Sequence, residues 1–267
     1  MAHRERLSTS PIGNILSFSQ NVAMVFEEPA ILHKYSQDND FVHWYEHLEY
    51  FQRDINPPKY HILGDFKLLK KIIVNGLESL NFSQQASEID KCQNEVELNH
   101  QIIKQYTDET DLYSNVNKYL RECHNYQNRT LTKKEIEQYS NPLAPWILQL
   151  NSSIRQQAQI ETKVYRGTNL SLTDIELYTE KKLFVWAPFV SASKNRDACL
   201  NGNVLFEIFT ESAMSLNDKR FPRDVSGLSY FPKEEEVIYP IACAYRVHYV
   251  KKEKGKTIIG VATVDYN

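Results

Sequence analysis

Three adjacent carboxylates, Glu234, Glu235 and Glu236, run straight into the apolar stretch Val237–Pro240. On an extended strand alternate residues share a face, so Glu234 and Glu236 are expected to point one way and Glu235 the other. Two like charges on one face repel, at a cost in stability unless a cationic ligand or a nearby Arg or Lys uses them. Taken alone, the triplet reads as a solvated acidic turn that caps a strand. It does not stand alone. Val164–Gly167 places Arg166 at the end of an expected strand, followed by Gly167. A guanidinium there can hold a pyrophosphate through charged, forked hydrogen bonds, and the glycine lets backbone amides come close to a ligand. Phe189–Ser193 ends another expected strand with two hydroxyls, Ser191 and Ser193, on one face. The three pieces follow in the order Arg, Ser-x-Ser, Glu-x-Glu.

Other chemistries lack their residues. The chain has neither a Gly-x-Gly-x-x-Gly nor a Gly-x-x-x-x-Gly-Lys-Ser/Thr segment, so the common glycine-rich phosphate cradles are missing. His43 and His47 lie one helical turn apart, but a metalloprotease helix needs Glu beside the first His and position 44 is Trp. The pair reads as packed or surface histidines, and no metal site is expected. Net charge is −3, which gives no general affinity for nucleic acid. The four cysteines, Cys92, Cys123, Cys199 and Cys243, show no Cys-x-x-Cys spacing and read as reduced and mostly buried.

Two textures divide the elements that must position these residues. Up to about residue 160 the apolar period is helical. Asp65 is placed to cap a helix carrying Phe66, Leu69, Ile72, Ile73, Leu77 and Leu80 on one side. Ser83 opens another, with Ala86, Ile89, Val96, Ile102 and Ile103 inward. Further helices are expected after Asp40, over Tyr113–Leu120, after a capping box at Thr132 and Glu135, and over Leu143–Ile154. From Glu161 onward the pattern changes to six short strands: 162–165, 183–192, 204–209, 236–241, 245–249 and 257–264. They are rich in β-branched and aromatic residues and punctuated by Asn201-Gly202 and Lys254-Gly255. Such strands without long intervening helices argue an antiparallel or mixed sheet.

The ordered motifs resemble the arginine–serine–glutamate signature of the mono-ADP-ribosyltransferases that include vertebrate ecto-enzymes and several bacterial toxins. Tyr165–Gly167 is similar to the family's first motif. Phe189–Ser193 resembles Phe-x-Ser-Thr-Ser with Ala192 in place of Thr, and Glu234–Val237 is similar to Glu-x-Glu-Val. Val204–Ile208 resembles the strand after the serine motif, and Ile102–Thr107 and Leu112–Arg121 resemble the helical lead-in. The likeness runs over about residues 85 to 267.

The resemblance implies an α+β fold, with a helical N-terminal part, a mostly antiparallel split sheet and the NAD⁺ cleft between them. It implies a catalytic domain over residues 85–267, behind an extension over residues 1–84 of unknown role. It implies roles too. Arg166 would bind an NAD⁺ phosphate, and Ser191 would sit by the nicotinamide ribose and hold the catalytic carboxylate. Glu236 would stabilise the oxocarbenium-like transition state as nicotinamide leaves, and Glu234 would receive the guanidinium of an acceptor arginine. Gly167 and Ser193 would line the NAD⁺ site. Phe206 would stack near the nicotinamide, or fill the core as an inward phenylalanine. Residues 218–233, with Tyr230 and Phe231, would present the acceptor. NAD⁺ is then a consumed substrate and no cofactor is implied. The partner is a protein with an exposed arginine, not nucleic acid or membrane. Rival readings are an NAD⁺ glycohydrolase using the same site and an inactive NAD-binding module. No apolar run follows the charged first residues, so a cytoplasmic location is expected, with non-classical export as a toxin or effector open.

Overall fold

A computed structural model describes residues 24–26, 66–108, 110–123, 142–186, 188–210, 221–241 and 243–263. The helices expected after Asp40 and after Thr132, and the pair His43 and His47, lie outside these residues. The chain forms two compact units, residues 37–156 and residues 1–36 with 157–267.

In the first unit the described residues form α1 (Phe66–Ser79), α2 (Ser83–Asp90), α3 (Glu95–Thr107), α4 (Asp111–Cys123) and α5 (Ala144–Arg155). The single helix expected to run from Ser83 to Ile103 is two. Asn94 takes an extended conformation and its side chain accepts from the Glu97 amide at 3.0 Å, while Glu97 reaches back to the Gln93 amide at 2.8 Å. This reciprocal cap starts α3 afresh and rotates its apolar face. Leu98, Ile102, Ile103 and Tyr106 are buried, but Val96, expected inward, is 61% exposed. In α4, Leu112, Tyr113, Val116 and Leu120 share one buried face, as 3.6-residue periodicity requires. Pro145 lies in the first turn of α5, where a missing N–H costs nothing.

In the second unit the described residues form nine strands: β1 (Met24–Phe26), β2 (Val164–Thr168), β3 (Leu183–Trp186), β4 (Val190–Ser193), β5 (Val204–Thr210), β6 (Arg223–Asp224), β7 (Glu236–Tyr239), β8 (Cys243–Glu253) and β9 (Lys256–Thr263). A short helix, α6 (Leu172–Glu176), follows β2. The sheet order is β1-β3-β8-β9-β5-β2-β4-β7-β6. Among the described strands only β5 and β9 pair in parallel. Helices first and a mostly antiparallel sheet afterwards is the expected α+β arrangement, with β1 and β6 added.

Two local features shape this sheet. The run expected as one strand over 183–192 is broken before Pro188, which has no N–H for a ladder. Its halves go to distant places: β3 pairs with β1 and β8, whereas β4 pairs with β2 and β7. The β8–β9 hairpin closes through Lys254 at φ +48° and Gly255 at φ +80°, the paired positive φ of a tight hairpin turn. The core beneath gathers Phe184, Trp186, Phe206, Tyr239 and Tyr245 with aliphatic residues of β2, β5 and β9. The β2–β4 joint is narrow. Tyr165 opposite Ser193 is its one registered pair, against seven from Val204↔Thr257 to Thr210↔Thr263 between β5 and β9. The sheet is thus split at the place where the serine motif meets the arginine motif.

Candidate active site

The acidic triplet is not the continuous strand its alternation suggests. Pro232–Glu234 forms a 3₁₀ turn, Glu235 adopts the left-handed conformation at φ +48° and ψ +46°, and β7 begins at Glu236. Glu234 (6% exposed) and Glu236 (0%) are both buried and Glu235 is exposed, yet a turn and not a strand face brings them inside. A non-glycine residue in that conformation costs on the order of 1 kcal/mol and persists where its surroundings hold it. Here the Ser193 hydroxyl donates to the Glu234 carbonyl at 2.6 Å and the Lys194 amide to the Glu235 carbonyl at 3.2 Å. The second serine of the motif therefore fixes the turn that presents both glutamates. It also accepts from the Asn195 amide at 2.8 Å.

The register of β4 against β7 places Ser191 opposite Ile238 and Ser193 opposite Glu236. Arg166 crosses the split from β2: its Nη1 donates to the Ser191 carbonyl at 2.6 Å. The guanidinium is half-buried and keeps four further N–H groups. The Ser191 side chain is fully buried, and its hydroxyl makes no hydrogen bond among the described residues. Such a group is costly to leave without a partner, and a bound ligand would supply one. Ala192, where the family pattern has Thr, faces the apolar core, so its replacement leaves the serine side untouched.

Gly167 is needed by the chain itself. A Cβ there would lie 2.2 Å from the Cys199 carbonyl oxygen and 2.8 Å from that of Asn201, so the 3₁₀ turn Arg196–Cys199 can pack directly on β2. Burial pushes the Cys199 thiol up to about 11, and its Sγ lies 3.2 Å from the Tyr165 carbonyl, so it is an inert packing thiol. Cys92, Cys199 and Cys243 are buried thiols that form no disulfide with one another. Phe206 is 2% exposed and packs edge-on to Tyr178 and Trp186 at 5.2 and 5.0 Å. Its ring is part of the core.

The loop before the glutamates adds residues that motif reading did not single out. Asp224 pairs with Lys194 at 2.7 Å and accepts from the Ser226 hydroxyl at 2.6 Å. Burial pushes its carboxyl up, but these partners outweigh that and hold it below the usual value. The Val225 amide donates to the Glu236 carbonyl at 3.1 Å, and the Ser229 hydroxyl donates to Glu236 Oε2 at 2.9 Å. Ser229 is seven residues from Glu236, but the 3₁₀ turn Pro232–Glu234 and left-handed Glu235 lie between them, so only the tertiary structure reveals the contact. Tyr230, the next residue, is 52% exposed and its ring sits 5.2 Å from that of Phe231. No group of three or more His, Cys, Asp or Glu side chains could hold a metal among the described residues. No helix among them is long and apolar enough to cross a membrane.

Comparison with known proteins bears on this arrangement. Residues 81–267 match the family model described as ADP-ribosyltransferase exoenzyme. The Mycobacterium avium (strain 104) protein named "Putative NAD(+)--arginine ADP-ribosyltransferase Mav" is 28% identical over 116 residues. That stretch is 41% of this chain and 13% of Mav, so the chain corresponds to a small part of that relative. Among solved structures, the ADP-ribosyltransferase HopU1 of Pseudomonas syringae pv. Tomato DC3000 shares the fold. Its TM-score is 0.52 at 21% identity, covering 73% of this chain and 87% of HopU1. The type III effector XopAI of Xanthomonas axonopodis pv. citri, solved as a 70-residue N-terminal truncation, aligns at a TM-score of 0.49 and 13% identity over 83% of this chain and 97% of the truncated chain. With the family model extending over more than half of its length, this chain belongs to the ADP-ribosyltransferase exoenzyme family.

Proposed function

We propose that the chain cleaves the nicotinamide–ribose bond of NAD⁺ and transfers the ADP-ribose to an arginine side chain of a protein. The observation that carries this reading is the convergence of Arg166, Ser191, Glu234 and Glu236 around the split between β2, β4 and β7. Arg166 holds a phosphate of NAD⁺ with the N–H groups that its Ser191 bond leaves over. The unbonded Ser191 hydroxyl takes a hydrogen bond at the nicotinamide ribose. Glu236, removed from water, sets a fixed negative charge where the ribose becomes cationic as nicotinamide departs. Glu234, one turn nearer the loop, receives the incoming guanidinium and helps take its proton as the new bond forms. Tyr230 and Phe231 contact the acceptor protein. NAD⁺ enters as substrate, and the chemistry calls for no metal or resident cofactor.

The likeness to Mav supports arginine as the acceptor, and retention of Glu234 favours transfer over hydrolysis, since water needs no second carboxylate. The test is incubation with labelled NAD⁺ and polyarginine, with free nicotinamide measured on the same preparation. Label on polyarginine is expected. Glu234→Gln is expected to abolish that label while measurable nicotinamide release persists. Equal loss of both activities would make Glu234 part of the NAD⁺ machinery. Arginine labelling that survives the substitution would defeat the arginine assignment.

A further inference from the structure

We infer that Ser229 is a positioning residue for Glu236, linking the acceptor-side loop to the carboxylate that cleaves NAD⁺. The inference rests on the reaction proposed above.

The geometry is directional. The Ser229 hydroxyl accepts from the Phe231 amide at 3.1 Å, which commits a lone pair and leaves its proton to point at Glu236 Oε2, 2.9 Å away. Both side chains are buried, at 6% and 0% exposure. Ser229 is itself anchored, its amide donating to the Val225 carbonyl at 2.8 Å, and the Val225 amide donates in turn to the Glu236 carbonyl at 3.1 Å. The segment from Val225 to Ser229 thus holds Glu236 at both backbone and side chain.

A buried carboxylate pinned at one oxygen by a buried hydroxyl is held in a single orientation. A hydrogen bond to a charged, buried group is among the stronger neutral-donor contacts in proteins. Electrostatic catalysis depends on the charge being oriented before the reaction starts. Ser229 precedes half-exposed Tyr230 and is bonded to the backbone of Phe231. The residues offered to an acceptor and the orientation of Glu236 therefore share one hydroxyl.

The test is steady-state nicotinamide release without acceptor, on Ser229→Ala, Ser229→Thr and Glu236→Gln. Ser229→Ala is expected to lower kcat on the order of tenfold with KM for NAD⁺ changed less than about twofold, because the lost contact orients a group and does not bind substrate. Ser229→Thr keeps the donor and is expected to restore most of kcat. Should the alanine variant not fold, Ser229→Cys, close in size and a weak donor, takes its place. A loss confined to arginine labelling, with nicotinamide release unchanged, would reduce Ser229 to a loop cap and overturn the inference. So would a threonine variant as slow as the alanine one. Glu236→Gln keeps the two claims apart: parent-rate release there defeats the proposed function, whereas an inactive Glu236→Gln beside a fully active Ser229→Ala defeats only the role of Ser229.

Discussion

The helical unit and the sheet unit bury polar groups in different ways. Among the described residues of the helical unit the buried polar groups are neutral, and several bond to one another. Gln149 donates to Asn99 Oδ1 at 2.6 Å, Ser153 to the same oxygen at 2.7 Å, Trp146 to Gln105 at 3.2 Å and Tyr106 to Asn117 at 3.3 Å. Such a network holds α3, α4 and α5 in register without burying a charge. Inside the sheet unit the buried groups include Glu234, Glu236 and Arg223, and the hydroxyl of Ser191 makes no hydrogen bond among the described residues. Burying charge is expensive and is found where chemistry needs it. The contrast separates a unit whose buried polar groups are neutral from one that buries charge, where the candidate site lies.

Four substitutions break or sharpen that contrast. Glu236→Gln should have the largest effect: nicotinamide release is expected to fall on the order of a hundredfold, about 3 kcal/mol in transition-state stabilisation. The urea midpoint is expected to hold, because a site carboxylate is not what keeps the sheet folded. A variant that unfolds while its residual native fraction stays active would put Glu236 in the scaffold. Arg166→Lys keeps the charge but loses the planar fork and the bond to the Ser191 carbonyl. Titration calorimetry should show NAD⁺ binding weakened on the order of tenfold. Unchanged affinity would make Arg166 a strut across the sheet split.

Asn99→Ala probes the other side of the comparison. Gln149 and Ser153 lose their shared acceptor, at a cost of about 1–3 kcal/mol in unfolding free energy, while nicotinamide release per folded molecule stays at the parent value. A selective loss of activity would give the helical network a catalytic part. The smallest effect belongs to Asp224→Asn. The lowered pKa of Asp224 contributes stability above the ordinary aspartate value of 3.8, and that contribution is lost as pH falls through the folded-state value. The substitution should cost less than about 1 kcal/mol near neutral pH, as expected for a partly exposed pair, and nothing in strong acid. Equal destabilisation at both pH values, followed by thermal unfolding, would assign the loss to packing and not to the Lys194 pair.

Much of the fold and of the candidate site is legible in the order of the residues. The α4 face, the positive-φ turn at Lys254 and Gly255, and the Arg, Ser-x-Ser, Glu-x-Glu order are local properties, carried by spacing within a few residues. Period-2 reasoning misleads across the acidic triplet. Alternation holds only while the backbone stays extended, and the turn at Pro232–Glu234 with left-handed Glu235 ends that condition. A helix read through Asn94 fails for a similar reason, since a side-chain cap there outweighs a continuing apolar pattern.

The order of the arginine, serine and glutamate motifs, the passage from helices to strands, and short strands in an antiparallel or mixed sheet are all present in the sequence alone. These follow from side-chain type and local backbone preference. Only the tertiary structure decided the rest. The break before Pro188 sends β4 away from β3 to lie between β2 and β7, and so brings Ser191 to Arg166 and Ser193 to the glutamate turn. It put Phe206 in the core and Ser229 on Glu236. Strand order and loop return are set by how the whole unit closes its apolar core, a sum over distant contacts that no window of neighbouring residues contains.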